Sequence, residues 1–367
     1  MEKRKILCVI GQLGNGGSEK QLYLFLKHLD KGKYTASVFV TGPAGGIWAD
    51  RIAQDLGIHI VFAGKVSMFS KMVCYRRELR AQKPDVIFSW SFFTNPLVSI
   101  SKGIRFIGSL RQQYSEESTN IGTFWCWLAK KPAMIVVNSN QISDQLLEDR
   151  VPPEKVAVVF NIFEPDHSKK KVSDDQFVKD FLKKYEIPND AIVVMGVGRT
   201  SAAKNFSFFV DVIEKALKKQ AKIHAVLIGS GGTALKDDIE SRGLGGSFTI
   251  TGEVPCAQDL LKAGSIFFLS SKMEGMPNVL IEAINAGCAS LATDVGGVRD
   301  IFCQVPEDLL KKILIESFDV ESAATLLEKL VADADLRKQI VETTSQFLPK
   351  LSPEIIMNQY CKVLFPD

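Results

Sequence analysis

Long apolar runs, paired cysteines, histidine and net charge are all scarce in this chain, and each scarcity narrows what it can be. No stretch reaches transmembrane length without a charge, so a membrane-spanning protein is not expected. Seven cysteines (Cys8, Cys74, Cys126, Cys256, Cys288, Cys303 and Cys361) contain no Cys-x-x-Cys pair, and several stand in apolar runs. Reduced core cysteines are placed that way, so a disulfide framework or zinc site is not indicated and a cytoplasmic setting is expected. A formal net charge of +3 is too small to argue for nucleic-acid binding. The opening "MEKRKILCVIGQLGNGG" has a charged start but only five apolar residues in a row, short for a signal peptide and better read as a first buried strand. The chain is therefore expected to be soluble, or at most to dock on a membrane surface.

What is present is an ordinary globular composition, with 46% hydrophobic and 24% charged residues. At 367 residues it exceeds the usual size of a single core, so two domains are expected. Short β-branched runs alternate with amphipathic helical stretches. Strands are predicted at 5–10, 35–41, 58–62, 85–89, 105–109, 134–138 and 156–160, with helices such as 18–30 and 70–82 between them. A second series falls at 191–197, 224–229, 247–251, 265–270 and 289–293, and no strand is predicted after residue 304. Runs that are apolar throughout and interleaved with helices mean parallel sheets covered on both faces, a doubly wound α/β pattern occurring twice. The join is placed near 161–190, which is charged and poor in strand formers. Ser352 and Pro353 read as the N-cap and first position of a last helix over 352–365.

Open α/β sheets bind ligands beyond the carboxyl ends of their strands. There the strand "SIFFLS" runs into "SKMEGMPNVLIEAINAG", with Pro277 read as the start of a helix. Amides near Met276 to Val279 then lack an intrahelical partner and favour an anion. Glu274 falls in the loop and Glu282 about one turn inside the helix, among Val279, Ile281, Ala283 and Ile284. Carboxylates only accept hydrogen bonds, and a vicinal diol offers two donors at matching spacing. A ribose on Glu282 and a sugar hydroxyl on Glu274 would satisfy both; a surface Glu274 and a Glu282 paired with a nearby Lys or Arg would do so without a ligand. Upstream, "GVGRTSAAKN" follows the first strand of the second series, with Arg199 and Lys204 placed as a diphosphate would need them. It lacks the third glycine of G-x-G-x-x-G, so a nicotinamide site is a poor reading, and Gly196 and Gly198 can equally be structural.

Taken in order, "GQLGNGGSEKQL", "MIVVNSNQ", "GVGRTSAAKN", "VLIGSGG", "TGEV" and "FFLSSKMEGMPNVLIEAINAGCASLATDVGGVRDI" resemble a retaining, nucleotide-sugar-dependent glycosyltransferase of the GT-B fold, family-4 type. The likeness is most specific over 247–301. It implies two Rossmann-like doubly wound domains facing across a cleft: an acceptor-side domain over 1–165 and a donor domain over 175–350, with the helix 352–365 crossing back to the first. It implies that Glu282 binds the donor ribose and Glu274 the transferred sugar. Amides of Gly275, Met276, Pro277's neighbours, Asn278 and Val279 would contact sugar and phosphate, and Arg199 and Lys204 would neutralise the departing diphosphate. Gly252 to Val254 would lie along the base, and Gly16 and Gly17 would approach from the other domain.

No cofactor or metal is expected; the donor is a UDP- or GDP-sugar and the acceptor a saccharide or lipid-linked saccharide, in bacterial surface-polysaccharide assembly. The one Asp-x-Asp, Asp333-Ala334-Asp335, reads as a solvated turn between helices. The resemblance fails in one place. Many relatives carry a histidine after the strand read here as 105–109, whereas none of His28, His59, His167 and His224 falls there and Arg111 stands in its place. Arg111 either takes over part of that role or the role is absent. "GTFWCWLAKKPAM" offers Phe124, Trp125, Trp127, Lys130 and Lys131 as a peripheral membrane contact, or else as core tryptophans with lysines at a helix C-terminus. A nucleotide-sugar 2-epimerase of the same fold, or a silent sugar-nucleotide-binding protein, stays open as an alternative.

Overall fold

The apolar runs read from the sequence become the strands of two separate parallel sheets. A computed structural model describes residues 2–99, 101, 103–165, 174–219, 222–254 and 257–366. Contacts divide the chain into Met1–Glu164 with Lys350–Asp367, and Pro165–Pro349. Within the stretch read as the join, 166–173 lies outside the described residues, and Asp174–Lys184 is a helix.

The first unit holds β1 (Arg4–Ile10), β2 (Tyr34–Val40), β3 (Ile60–Phe62), β4 (Val86–Ser89), β5 (Arg105–Leu110), β6 (Met134–Val137) and β7 (Val156–Val158). Their order is β3-β2-β1-β4-β5-β6-β7. The second unit holds β8 (Ile192–Val197), β9 (Ile223–Ile228), β10 (Phe248–Gly252), β11 (Ile266–Leu269), β12 (Ala289–Thr293) and β13 (Leu314–Ile315), ordered β10-β9-β8-β11-β12-β13. Every predicted strand is present to within two residues at each end. One expectation is corrected: a strand does follow residue 304, since Leu314 and Ile315 pair parallel with Ala292 and Thr293. Two residues carry no periodicity for a pattern to detect. His59, read as a strand residue, lies one position before β3.

Alternation splits the first unit's core into two layers. Ile6, Cys8, Val38 and Phe88 face Phe25 of the helix Gly17–Lys27 and Tyr360 of the helix Pro353–Leu364. Leu7, Val9, Phe39 and Ile87 face Tyr75 of the helix Met68–Gln82. The last helix begins as its sequence dictates, with Ser352 as N-cap and Pro353 in the first turn. It buries Ile356, Met357, Tyr360 and Leu364, a helical spacing that makes it part of the first unit's core.

In the second unit the helix Phe206–Lys218 covers β8 and β11, and Phe209 stacks on Phe268 at 5.2 Å. On β9, His224 Nε2 lies 2.8 Å from Thr249 Oγ1 of β10. Burial lowers its pKa below the ordinary 6.5. A histidine depressed on folding contributes stability that is full above the unfolded value and is lost as pH falls through the folded one. The melting temperature is therefore expected to drop as pH is taken below 6.5. The His224→Gln variant should show a shallower drop in parallel calorimetric scans; equal slopes would remove His224 as the cause.

Candidate functional site

Both sheets reverse direction beside their first strand, between β1 and β4 and between β8 and β11. At such a reversal the flanking loops diverge and leave a crevice at the carboxyl ends. In the second unit those loops are residues 198–205 and 270–277, the two segments singled out in the sequence.

They are joined by a charge pair. Lys204 Nζ donates to Glu274 Oε1 at 2.6 Å, and Ser271 Oγ donates to the same oxygen at 2.7 Å. Main chain closes the contact: Ser270 Oγ donates to the Lys204 carbonyl at 2.9 Å, and the Lys272 amide donates to the Ala203 carbonyl at 2.7 Å. Side-chain exposure is 23% for Lys204 and 13% for Glu274, so Glu274 is not a solvated surface residue. Desolvation offsets much of the attraction in a half-buried pair, so stability alone does not account for it.

Neighbouring strands hold this loop pair in place. Thr293 Oγ1 at the end of β12 donates to the Ser271 carbonyl at 2.6 Å, and the Gly297 amide donates to the Gly275 carbonyl at 2.5 Å. Gly296 (φ +54) packs so closely on the Glu274 and Gly275 carbonyls that a Cβ would collide with them. On the other side the Thr200 amide donates to the Ser230 carbonyl, and the Gly229 amide to the Gly252 carbonyl, both at 2.9 Å. Gly229 (φ +143) lies against the Gly198 carbonyl, again with no room for a side chain. The glycines near Arg199 thus have a packing role in addition to any ligand they admit.

The helix after β11 runs Asn278–Asn285, and Pro277 is its N-cap (φ −73, ψ 100) instead of its first residue. The Pro277 carbonyl accepts from the Leu280 and Ile281 amides, which sets Asn278 and Val279 in the first turn, at the positive end of the helix. Gly275, Met276 and Pro277 are buried, Asn278 and Val279 half-buried. Glu282 is half-buried, between Ile281 and Ala283, which are 2% and 0% exposed. Val254 is half-buried and Arg199 exposed.

In the first unit, Gly16 is the N-cap and Gly17 the first residue of the helix after β1. Trp90, directly after β4, donates its indole N–H to the Ser18 carbonyl at 2.9 Å. Arg111, directly after β5, places its guanidinium 4.0 Å from the Trp90 ring and donates from Nη2 to the Tyr360 hydroxyl at 2.8 Å. Its Nη1 reaches Asn161 Oδ1 at 3.5 Å, and the residue is 7% exposed. Arg111 is thereby a buried strut tying the glycine loop, β4, β5 and the last helix together. Asn138 stands directly after β6 and donates to the same Asn161 oxygen at 3.4 Å.

Sequence reading missed Trp90, Asn138, Asn161, Tyr360, Ser270 and Ser271. All but Tyr360 stand within three residues of a strand's carboxyl end, a positional signal that would have found them. Two other readings are resolved. Asp333 is a helix cap whose Oδ1 accepts from the Leu336 amide at 2.8 Å, which agrees with a turn between helices. The aromatics of 123–129 are not core: Phe124, Trp125 and Trp127 are 64%, 40% and 53% exposed, while Cys126 and Ala129 face inward. Among the described residues no helix is long and apolar enough to cross a membrane.

Two Rossmann-like units with these strand orders are the GT-B fold. Residues 177–347 match the family model of Glycosyl transferases group 1, and residues 15–167 match that of Glycosyltransferase Family 4. The chain belongs to this glycosyltransferase family and is a glycosyltransferase. It is 24% identical over 311 residues to the capsular polysaccharide biosynthesis glycosyltransferase CapH of Staphylococcus aureus, covering 79% of this chain and 81% of that one. It is also 24% identical over 379 residues to the GalNAc-alpha-(1->4)-GalNAc-alpha-(1->3)-diNAcBac-PP-undecaprenol alpha-1,4-N-acetyl-D-galactosaminyltransferase of Campylobacter jejuni, covering 98% of each. The crystal structure of Anabaena Alr3699/HepE in complex with UDP-glucose shares the fold, with a TM-score of 0.82 at 17% identity over 98% of this chain and 99% of that one. CapH and the Campylobacter enzyme are transferases by name, which disfavours the epimerase and silent-binder readings.

Proposed function

We propose that the chain moves a sugar from a nucleoside-diphosphate sugar to a saccharide or lipid-linked acceptor, with retention of anomeric configuration and without a metal, in bacterial surface-polysaccharide assembly. The observation that carries this reading is the Lys204–Glu274 pair at the sheet reversal, a cation and a hydrogen-bond acceptor side by side. A sugar diphosphate presents the complementary pair, a phosphate beside hydroxyl groups, and can insert between them. Glu282 then takes the ribose diol. Arg199, Lys204 and the amides of Asn278 and Val279 meet the negative charge that grows on the diphosphate as the sugar becomes oxocarbenium-like. That supplies the positive charge a divalent ion contributes in other transferases.

The HepE complexes with UDP and UDP-glucose support a nucleotide-sugar donor, and the capsule and undecaprenol-linked relatives support a polysaccharide acceptor. UDP- and GDP-sugars are both compatible with the residues named. A thermal-shift screen tests the reading, because a ligand that binds only the folded state raises apparent stability with its affinity. One nucleoside series is expected to raise the melting temperature at millimolar concentration, and the Glu282→Ala variant should lose that rise. No shift with any UDP- or GDP-sugar would end the proposal. Conversion of donor alone to a 2-epimer, in the absence of acceptor, would replace it with the epimerase reading.

A further inference from the structure

One face of the first unit's sheet is covered by a helical layer whose outer surface is both apolar and basic. Ile87 pairs with Phe106 across β4 and β5, while Gly108 and Leu110 pair with Ile135 and Val137 across β5 and β6. Since alternate residues share a face, the core under the helix Met68–Gln82 (Leu7, Val9, Ile87, Tyr75) and the core under the helix Thr123–Ala129 (Leu110, Ile135, Val137, Cys126) lie on the same side of the sheet. The short helix Asn95–Val98 belongs to the first of these cores and contacts the Thr123–Ala129 helix, joining the two.

The outward stripe of the Met68–Gln82 helix reads Phe69, Val73, Arg76, Arg77, Arg80, a spacing that holds one helical face. Phe69 is 73% and Val73 52% exposed, with Met68 at 50% and Val66 at 44% beside them. Between residues 65 and 83 there are six cations, Lys65, Lys71, Arg76, Arg77, Arg80 and Lys83, against one carboxylate. That carboxylate, Glu78, is turned inward at 7% exposure and leaves the outer face uniformly positive. The second helix adds exposed Phe124, Trp125 and Trp127, with Lys131 Nζ 3.8 Å from the Trp127 ring centroid. Among the described residues, neither burial in a core nor an ion pair accounts for these rows. Aromatic and aliphatic side chains flanked by arginines and lysines fit a surface that is apolar beneath and anionic above.

We infer that this helical layer docks the enzyme on an anionic phospholipid bilayer, with the Met68–Gln82 stripe supplying the charge and both helices the apolar anchors. The inference rests on the proposed function and deepens it by naming where a lipid-linked acceptor is met. The experiment is co-sedimentation of the full chain with phosphatidylglycerol vesicles and with phosphatidylcholine vesicles, at low and high salt, alongside donor thermal shifts in vesicle-free buffer. Each neutralised arginine near an anionic surface weakens binding about fivefold, so Arg76→Gln/Arg77→Gln/Arg80→Gln is expected to weaken partitioning by about a hundredfold. Phe69→Ser/Val73→Ser is expected to weaken it by about tenfold or more.

Wild-type binding to phosphatidylglycerol that weakens with salt and with both variants, while melting temperatures and donor shifts stay unchanged, supports the inference. Equal binding to both lipids, or none, overturns it. So does a loss confined to Phe124, Trp125 and Trp127 variants, which would leave the Met68–Gln82 stripe without a role. Concentration-dependent dimerisation abolished by the same substitutions would make the surface a self-contact and overturn it too. A donor shift without vesicle binding sinks this inference alone, whereas vesicle binding without a donor shift sinks the proposed function.

Discussion

Lys204→Ala is expected to lower kcat by about a hundredfold to a thousandfold, the usual cost of removing one donor aimed at charge that develops during reaction. Lys204 touches Glu274, so a loss of activity by itself does not separate a catalytic lysine from one that merely holds a carboxylate in place. The pair must be taken apart in a double-mutant cycle. If Lys204 and Glu274 only neutralise each other, each single variant leaves an uncompensated, half-buried charge and unfolds at lower temperature. The double variant Lys204→Met/Glu274→Gln then recovers both stability and turnover, as buried pairs replaced by neutral groups often do. If they act on the sugar diphosphate, the double variant recovers stability and stays inactive. Melting curves and initial rates on the four proteins give the answer. The network around the pair, with Ser271 on the same carboxylate oxygen and Ser270 on the Lys204 carbonyl, is expected to hold the loops in register in the variants.

Glu282→Ala is expected to act on the other kinetic constant. A hydrogen bond to a charged group is worth about 1.5–3 kcal/mol, so losing a ribose diol from Glu282 should raise the donor KM by about tenfold to a hundredfold. Turnover at saturating donor should change much less, because the ribose keeps its place as the anomeric bond breaks. Glu282→Gln retains an acceptor and should fall between wild type and alanine. Arg199→Ala is expected to behave in the opposite sense, lowering kcat with a smaller effect on KM, since diphosphate charge grows during the reaction. Donor titrations of initial rate on the three variants check this. A Glu282→Ala enzyme with wild-type donor KM would remove that carboxylate from the donor site.

The fold was legible because a doubly wound protein writes its buried parallel strands as short apolar runs, and runs such as "KILCVI" and "AIVVMGV" lie within a residue of β1 and β8. The loops proposed to hold the donor were legible for a related reason: the candidate residues sit immediately after strands, where runs such as "SIFFLS" stop. What could not be read was which of those residues touch. Lys204 and Glu274 are 70 positions apart, so no local pattern announces that each has the other as a neighbour. Arg111 and Tyr360 are 249 positions apart, so no local pattern announces that the cation standing where a histidine is usual is tied to the last helix. The helix of Thr123–Ala129 offered aromatics at a spacing that suited either core or surface, and only the burial of Cys126 and Ala129 decides which side faces out. β13 was missed because a two-residue strand is defined by its partner, Ala292–Thr293, and by nothing in its own sequence.

A crystal structure of the chain soaked with the nucleoside-diphosphate sugar that stabilises it most tests the central claim directly. The expected result is the diphosphate on Lys204 Nζ and the amides of Asn278 and Val279, the ribose diol on Glu282, and a sugar hydroxyl on Glu274. A donor seated elsewhere, with Lys204 and Glu274 still closed on each other and Glu282 away from the ribose, would contradict it.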